Sequence, residues 1–345
     1  MAQLFGRSWS RSELLAHVGD LSQLAGIRLG EWGDGVERGV RVADVRAGSE
    51  LEFTVLLDRG MDLGPASYRG LPLAWISPTG FAHSAYFDPI GIGWLRTFGG
   101  GLMTGCGLTY LGAPSEDEGE VLGLHGRLSH LPARRVKVGE EWQGDECVFW
   151  VEAEMRQARV FGENLRLTRR ISTGLGSSQI LIQDRVENLG TTTSPLMILY
   201  HINLGFPLLD ETCYLMAEPH PVQPRDAAAA GLSDWMRFQP PTQGYGDQVF
   251  YHDLPADNQG WAGLTLVNPT RDLSLSVRFQ KATLPNLVQW KMMGHGVYVL
   301  GLEPANCLIE GRNKERERGT LQFLEPGECR DLQVEIALSE PGKSG

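Results

Sequence analysis

Leu51-Glu52-Phe53-Thr54-Val55-Leu56-Leu57 decides the fold class, because apolar side chains recur at alternate positions with Glu52 and Thr54 between them. A period of two puts successive side chains on opposite faces of an extended chain, so this is a half-buried strand. The alternation returns in Leu165, Leu167, Arg169 and Ile171, in Leu273, Leu275, Val277 and Phe279, and in Leu332, Val334, Ile336 and Leu338. Gly, Asn, Asp or Pro bounds each of these runs. Less regular strands are expected over 147–154, 179–186, 196–203, 261–267 and 297–302. Strands in this number, without the long helical spacers that a parallel sheet requires, imply antiparallel sheets packed face to face. The expected class is all-β. One short helix precedes the strands: Ser10 and Glu13 form a capping box ahead of Leu14, Leu15, Val18 and Leu21, in a helical extension over about 9–26.

Composition narrows the function. The chain has 345 residues, 42% of them hydrophobic and 21% charged, which is the composition of a folded protein with a large core. Its 43 glycines suit the many turns of a β protein. A formal net charge of −11 without any long Lys/Arg run argues against nucleic acid as a partner. The N-terminus lacks a continuous apolar segment and no later apolar stretch is long enough to span a bilayer, so a cytoplasmic protein without membrane association is expected. Five scattered cysteines with no C-x-x-C pair read as small buried side chains. The stretch 208–243 is the main irregular insertion, rich in proline, with an alanine run at 227–230 that could form one helical turn. No repeat or linker composition interrupts the chain, so 1–345 is read as a single domain.

Some polar residues stand in apolar settings. His201 ends the run Pro195-Leu196-Met197-Ile198-Leu199-Tyr200, and Glu303 follows Val297-Tyr298-Val299-Leu300-Gly301-Leu302 directly. Each is either a satisfied structural group or a working one. A carboxylate at the end of such a strand is costly unless paired or used, and its pKa would be raised. His125, in Leu124-His125-Gly126-Arg127, is either exposed to a cleft by its turn or merely structural. His125 and His130 make a poor metal pair, five residues apart with no third ligand at a sensible spacing. Gly99-Gly100-Gly101 fits neither a P-loop nor a dinucleotide fingerprint and suggests close backbone approach beside Arg96. Asp58-Arg59-Gly60-Met61-Asp62 reads as a turn with solvated charges, and the mixed cluster from Glu310 to Arg318 as an exposed hairpin loop.

In order along the chain, His17 to Gly26, Asp58-Arg59-Gly60-Met61-Asp62-Leu63, Gly100 to Leu108, Leu124-His125-Gly126, Tyr200-His201-Ile202-Asn203 and Leu302-Glu303-Pro304 resemble the galactose mutarotase-like superfamily. The resemblance is stronger to its aldose 1-epimerase-related branch, a domain-of-unknown-function family numbered 4432. It implies one β-supersandwich domain and a cofactor-independent sugar epimerase, with no metal. It places a sugar-binding histidine at His125, the general acid at His201 and the general base at Glu303. Arg96 falls near the place of an arginine that holds sugar hydroxyls, and Asp247 is nearest to a sugar-contacting aspartate. Arg127 replaces the second glycine of the usual HGG, which departs from a plain galactose pattern.

Ring opening fits these residue types, since a base takes the C1 hydroxyl proton while an acid protonates the ring oxygen. Two rivals remain open: epimerisation by C–H proton abstraction, and a carbohydrate-binding protein without catalysis. Arg59, Arg96, Arg127 and Lys291 together suggest an anionic sugar, unless Arg59 and Arg127 pair with Asp58, Asp62 or cleft glutamates and leave only neutral hydroxyls to be recognised. A monomer or a homodimer is expected.

Overall fold

The computed structural model describes residues 1–226, 229 and 234–341, and apart from Ala229 the helical turn expected over 227–230 lies outside them. Two antiparallel sheets dominate. The first has eight strands, in the order Arg134–Gln143, Glu146–Ala158, Asn164–Gly174, Gln179–Asn188, Cys329–Ser339, Leu273–Gln280, Trp261–Asn268 and Tyr214–Met216. The second, of twelve strands, runs along its main path through Val222–Pro224, Gln248–His252, Asn286–Gly294, Val297–Ala305, Ser194–Gly205, Met103–Leu108, Asp62–Tyr68, Leu51–Leu56, Arg41–Arg46 and Gly26–Glu31. The chain is all-β, as its alternating runs imply. Leu51–Leu56, Asn164–Gly174 and Cys329–Ser339 each show the alternating burial of a strand with one face in the core.

The main core lies between the sheets, where Ile198, Tyr200, Ile202 and Leu204 meet Ile171, Ile182, Val277 and Val334. A polar triad crosses that core. Arg169 donates to both carboxylate oxygens of Asp184, at 2.8 and 2.6 Å, and the Tyr200 hydroxyl donates to the same carboxylate at 2.7 Å. The Ser194–Gly205 strand is buried on both faces. Its other side chains, Met197 and Leu199, join a second cluster with Trp94, Phe98, Val249 and Val288, and this outer apolar face carries the cleft described below. A continuous apolar run rather than an alternating one is what such a doubly covered strand requires.

The helix forms at Arg11–His17, with the Ser10 and Glu13 capping box in place. A hairpin of Ala2–Leu4 and Arg7–Trp9 precedes it, and Leu4, Leu14 and Leu21 pack on Phe149 and Leu175. Two readings of charge are corrected. Asp58, Arg59 and Asp62 are buried rather than solvated: Asp58 pairs with Arg41, and Asp62 accepts the Gly105 amide at 2.7 Å. The cluster near Arg318 is not an exposed hairpin but the helix Arg312–Arg318, in which Arg312 and Glu315 are buried. Arg312 and Arg316 hold Asp117 at 2.6 and 2.8 Å, so basic helix and acidic hairpin are partners, and the Arg316 bond leads in depressing the Asp117 pKa. Among the described residues no helix is long and apolar enough to cross a membrane.

Candidate active site

Strand register sets the two central groups side by side. Leu199 lies opposite Ala305 and Ile202 opposite Leu302, a register that puts His201 across from Glu303 on one face of the sheet. His201 Nε2 is 3.2 Å from Glu303 Oε1, and both side chains are buried. Gly301 makes room for the carboxylate, because a Cβ there would lie 2.5 Å from Glu303 Oε1. His125 arrives from a loop rather than a strand. Its backbone is left-handed, at φ 54°, and is fixed by bonds from its amide to the Gly112 carbonyl and from the Gly107 amide to its own carbonyl. This brings the imidazole to 6.1 Å from that of His201, centroid to centroid.

Around these groups lies a cleft of about 370 Å³, lined among others by Trp75, Trp94, Phe98, Trp290, Arg225 and Asp247. That volume suits a small molecule. Trp94 stacks on Phe98 at 4.4 Å, and Trp290 meets the His201 ring edge to face at 5.5 Å. Aromatic walls with a few polar groups set among them are the usual make-up of a small-molecule site, the apolar faces supplying contact area and the polar groups orientation. Nε1 of Trp94, Nδ1 of His125, Nδ1 of His201 and Oε1 of Glu303 are buried without a well-aligned hydrogen bond, the approach of Glu303 Oε1 to His201 Nε2 being close but not aligned as one. Unsatisfied groups are rare in folded interiors, so four in one cleft mark it as a place for a polar ligand.

Burial sets the protonation of the site. It raises the Glu303 carboxyl to about 8, against a smaller downward pull from the Arg225 guanidinium. It lowers His201 to about 3, with His125 adding to the effect, and lowers His125 itself to about 4. Near neutral pH the His201 and Glu303 pair therefore holds one proton, on the carboxyl. At the rim, Arg225 Nη2 lies 2.7 Å from Asp226 and 3.6 Å from Asp247. Among the described residues no group of three or more His, Cys, Asp or Glu is disposed to hold a metal ion.

The family model for a domain of unknown function, DUF4432, matches residues 37–338. The chain belongs to the DUF4432 family. The DUF4432 chain is similar in structure to a "putative aldose 1-epimerase" from Klebsiella pneumoniae, with a TM-score of 0.85 and 25% identity over 90% of this chain and 83% of that one. It resembles a galactose mutarotase-like protein from Clostridium acetobutylicum with a TM-score of 0.63, at 13% identity over 92% of this chain and 99% of that one. Galactose 1-epimerase from Lactobacillus acidophilus gives a TM-score of 0.57, again at 13% identity and with coverage of 92% and 99%. No curated protein sequence matches. The fold is galactose mutarotase-like.

Of the positions singled out in the DUF4432 chain, His125, His201, Glu303 and Asp247 line the cleft, whereas the four expected cations do not. Lys291 follows Trp290 on its strand and so faces the other way, where its ammonium donates to the Arg237 and Asp234 carbonyls. Arg96 ends a 3₁₀ turn, Gly93–Arg96, with its side chain 80% exposed toward Asp88. Arg127 is exposed and lies over the Phe87 ring, and Arg59 is buried with its guanidinium on two carbonyls. Sequence reasoning missed Arg225 and the aromatic walls. The signals were Pro224-Arg225-Asp226 inside the irregular insertion, and Trp94 and Phe98 flanking the arginine that was chosen instead.

Proposed function

We propose that this protein is a cofactor-independent sugar epimerase of the aldose 1-epimerase type, interconverting anomers with Glu303 and His201 as the acid–base pair. The observation that carries this reading is the 3.2 Å approach of His201 Nε2 to Glu303 Oε1 in an aromatic-walled cleft. Transfer of the resting proton from the carboxyl to His201 gives a carboxylate and an imidazolium, a change favoured by Arg225 and by the hydroxyls of a bound sugar. Glu303 then takes the proton from the C1 hydroxyl as the bond between C1 and the ring oxygen breaks and His201 protonates that oxygen. The product is an open-chain aldehyde. Rotation about C1–C2 and the reverse transfers close the ring on the other face. His125, neutral, holds a sugar hydroxyl, and Asp247 and Arg225 bind others at the rim. The sequence is redox-neutral, so it calls for no hydride donor, and every proton it moves is carried by Glu303, His201 or the sugar.

The test is anomer exchange, followed by polarimetry and by NMR saturation transfer, across neutral, phosphorylated and acidic sugars. Glu303→Gln and His201→Asn should each lower turnover by roughly 10²-fold or more, the usual scale of general acid–base catalysis. Retention of more than about a tenth of wild-type turnover by either variant would assign the proton transfers elsewhere. Uptake of solvent deuterium at carbon would instead indicate epimerisation by C–H abstraction.

A further inference from the structure

Arg59, Arg96 and Arg127, which the sequence set around a sugar, converge instead on one stretch of chain, 82–97, which carries Trp94 and Leu95 and leads into Phe98. Arg59 is 2% exposed. Its Nη1 donates to the Ala82 carbonyl and its Nη2 to the Thr97 carbonyl at 2.8 Å, so one guanidinium holds both ends of the stretch. Sixteen residues with their ends drawn together have the span of an Ω-loop. Buried carbonyls need donors, and the planar guanidinium supplies two diverging ones from a single side chain.

Other ties lie inside the loop. The Thr97 hydroxyl meets His130 Nε2 at 2.8 Å, and the His130 ring stacks on Phe87 at 4.1 Å. The Arg127 guanidinium sits 5.6 Å over that same Phe87 ring, and Arg96 faces Asp88 at 3.9 Å. Arg59 is one turn of chain from the cleft, since the Thr97 amide bonds to the Trp94 carbonyl at 3.1 Å. The Trp94 indole in turn packs 4.8 Å from the His125 ring.

We infer that Arg59 is a positioning residue for substrate binding, which clamps 82–97 shut so that Trp94 and Phe98 stand as a fixed wall of the cleft before the sugar arrives. This rests on the sugar-binding reading of the cleft. In the proposed mechanism the wall meets the apolar face of the ring and bond breaking occurs at C1; Phe98 packs 5.1 Å from the His201 ring, but His201 is held independently of it by the pairing of Ser194–Gly205 with Val297–Ala305. The wall's contribution is therefore the same in the bound substrate and in the transition state, and loosening it raises KM while leaving kcat in place.

Arg59→Lys in the full chain tests this, because one ammonium replaces the two-pronged fork. Thr97→Val, which removes only the hydroxyl tie to His130, is the milder companion should the first variant fold poorly. Amides of 83–96 should exchange with solvent about tenfold faster in Arg59→Lys, with Ser194–Gly205 and Val297–Ala305 protected as in the wild type. KM for the best sugar should rise about tenfold or more, with kcat within about threefold, and Thr97→Val should move both readouts the same way by less. Loss of kcat at unchanged KM, or wild-type exchange of 83–96 in both variants, would overturn the inference. Faster loop exchange in a protein whose wild type turns over no sugar would remove the sugar reading and leave the clamp in place.

Discussion

Glu303 makes folding stability depend on pH in a direction opposite to that of most carboxylates. Its carboxyl rises from 4.5 to about 8 on burial, so between those values the folded chain holds a proton that the unfolded chain has lost. Stability then falls as pH increases through this window. The interval spans roughly 3.5 pH units at about 1.4 kcal/mol each, a ceiling of about 5 kcal/mol, and local relaxation should reduce the realised effect to a few kcal/mol. Glu303→Gln removes the titration and keeps the shape. Urea unfolding of both proteins at several pH values from about 5 to 8 should show the variant gaining steadily on the wild type, by a few kcal/mol at the alkaline end. His201, lowered to about 3, gives the opposite slope below its unfolded value of 6.5, but it does so in both proteins and cancels in the difference. A difference in unfolding free energy that stays flat across the range would refute the claim that Glu303 is folded as the neutral acid.

The same one-proton pair predicts a kcat/KM that is level between about pH 5 and 7 and declines above about 8, where the carboxyl proton that His201 must borrow is lost; a rate rising through pH 8 would contradict it. Tyr200→Phe leaves the Asp184 carboxylate short of one of its buried donors and should cost about 1–3 kcal/mol in chemical denaturation. In Gly301→Ala the new methyl group must displace the Glu303 carboxylate, so anomer exchange should fall by about 10²-fold while the thermal midpoint drops only modestly.

Leu51–Leu56, Asn164–Gly174, Leu273–Gln280 and Cys329–Ser339 were legible because one face lies in the core and the other is partly exposed, so burial prints a period of two on the side chains, whereas Ser194–Gly205 and Val297–Ala305, buried on both faces, showed only as continuous apolar runs. Gly26–Glu31 escaped because it is an edge strand whose residues are half-buried or exposed, so no alternation marks it. The hairpin of Ala2–Leu4 and Arg7–Trp9 is too short to show a period at all. His201 and Glu303 were legible as candidates because a polar side chain in an otherwise apolar run is conspicuous. Their contact was not, since it depends on the pairing register of strands about a hundred residues apart in sequence. The arginines misled for a simpler reason: a guanidinium near a cleft in sequence can turn to a backbone carbonyl, as Arg59 does, or to an aromatic face, as Arg127 does. Lys291 failed on parity alone, one residue out of phase with Trp290.

The placement of His201 and Glu303 on adjoining strands, with Trp94 and Arg225 supplied by loops, separates what the protein does from what it accepts. Neighbouring strands are held at a spacing that the backbone hydrogen bonds dictate, so the distance between the two reactive groups is a property of the sheet and tolerates little adjustment. The 82–97 loop answers to no such ruler, its place being set by side-chain ties. On the proposed function, exchanging it for another sequence that keeps those ties amounts to refitting the lock while its bolt stays in the frame, which makes this stretch the natural target for redirecting the cleft to a different sugar.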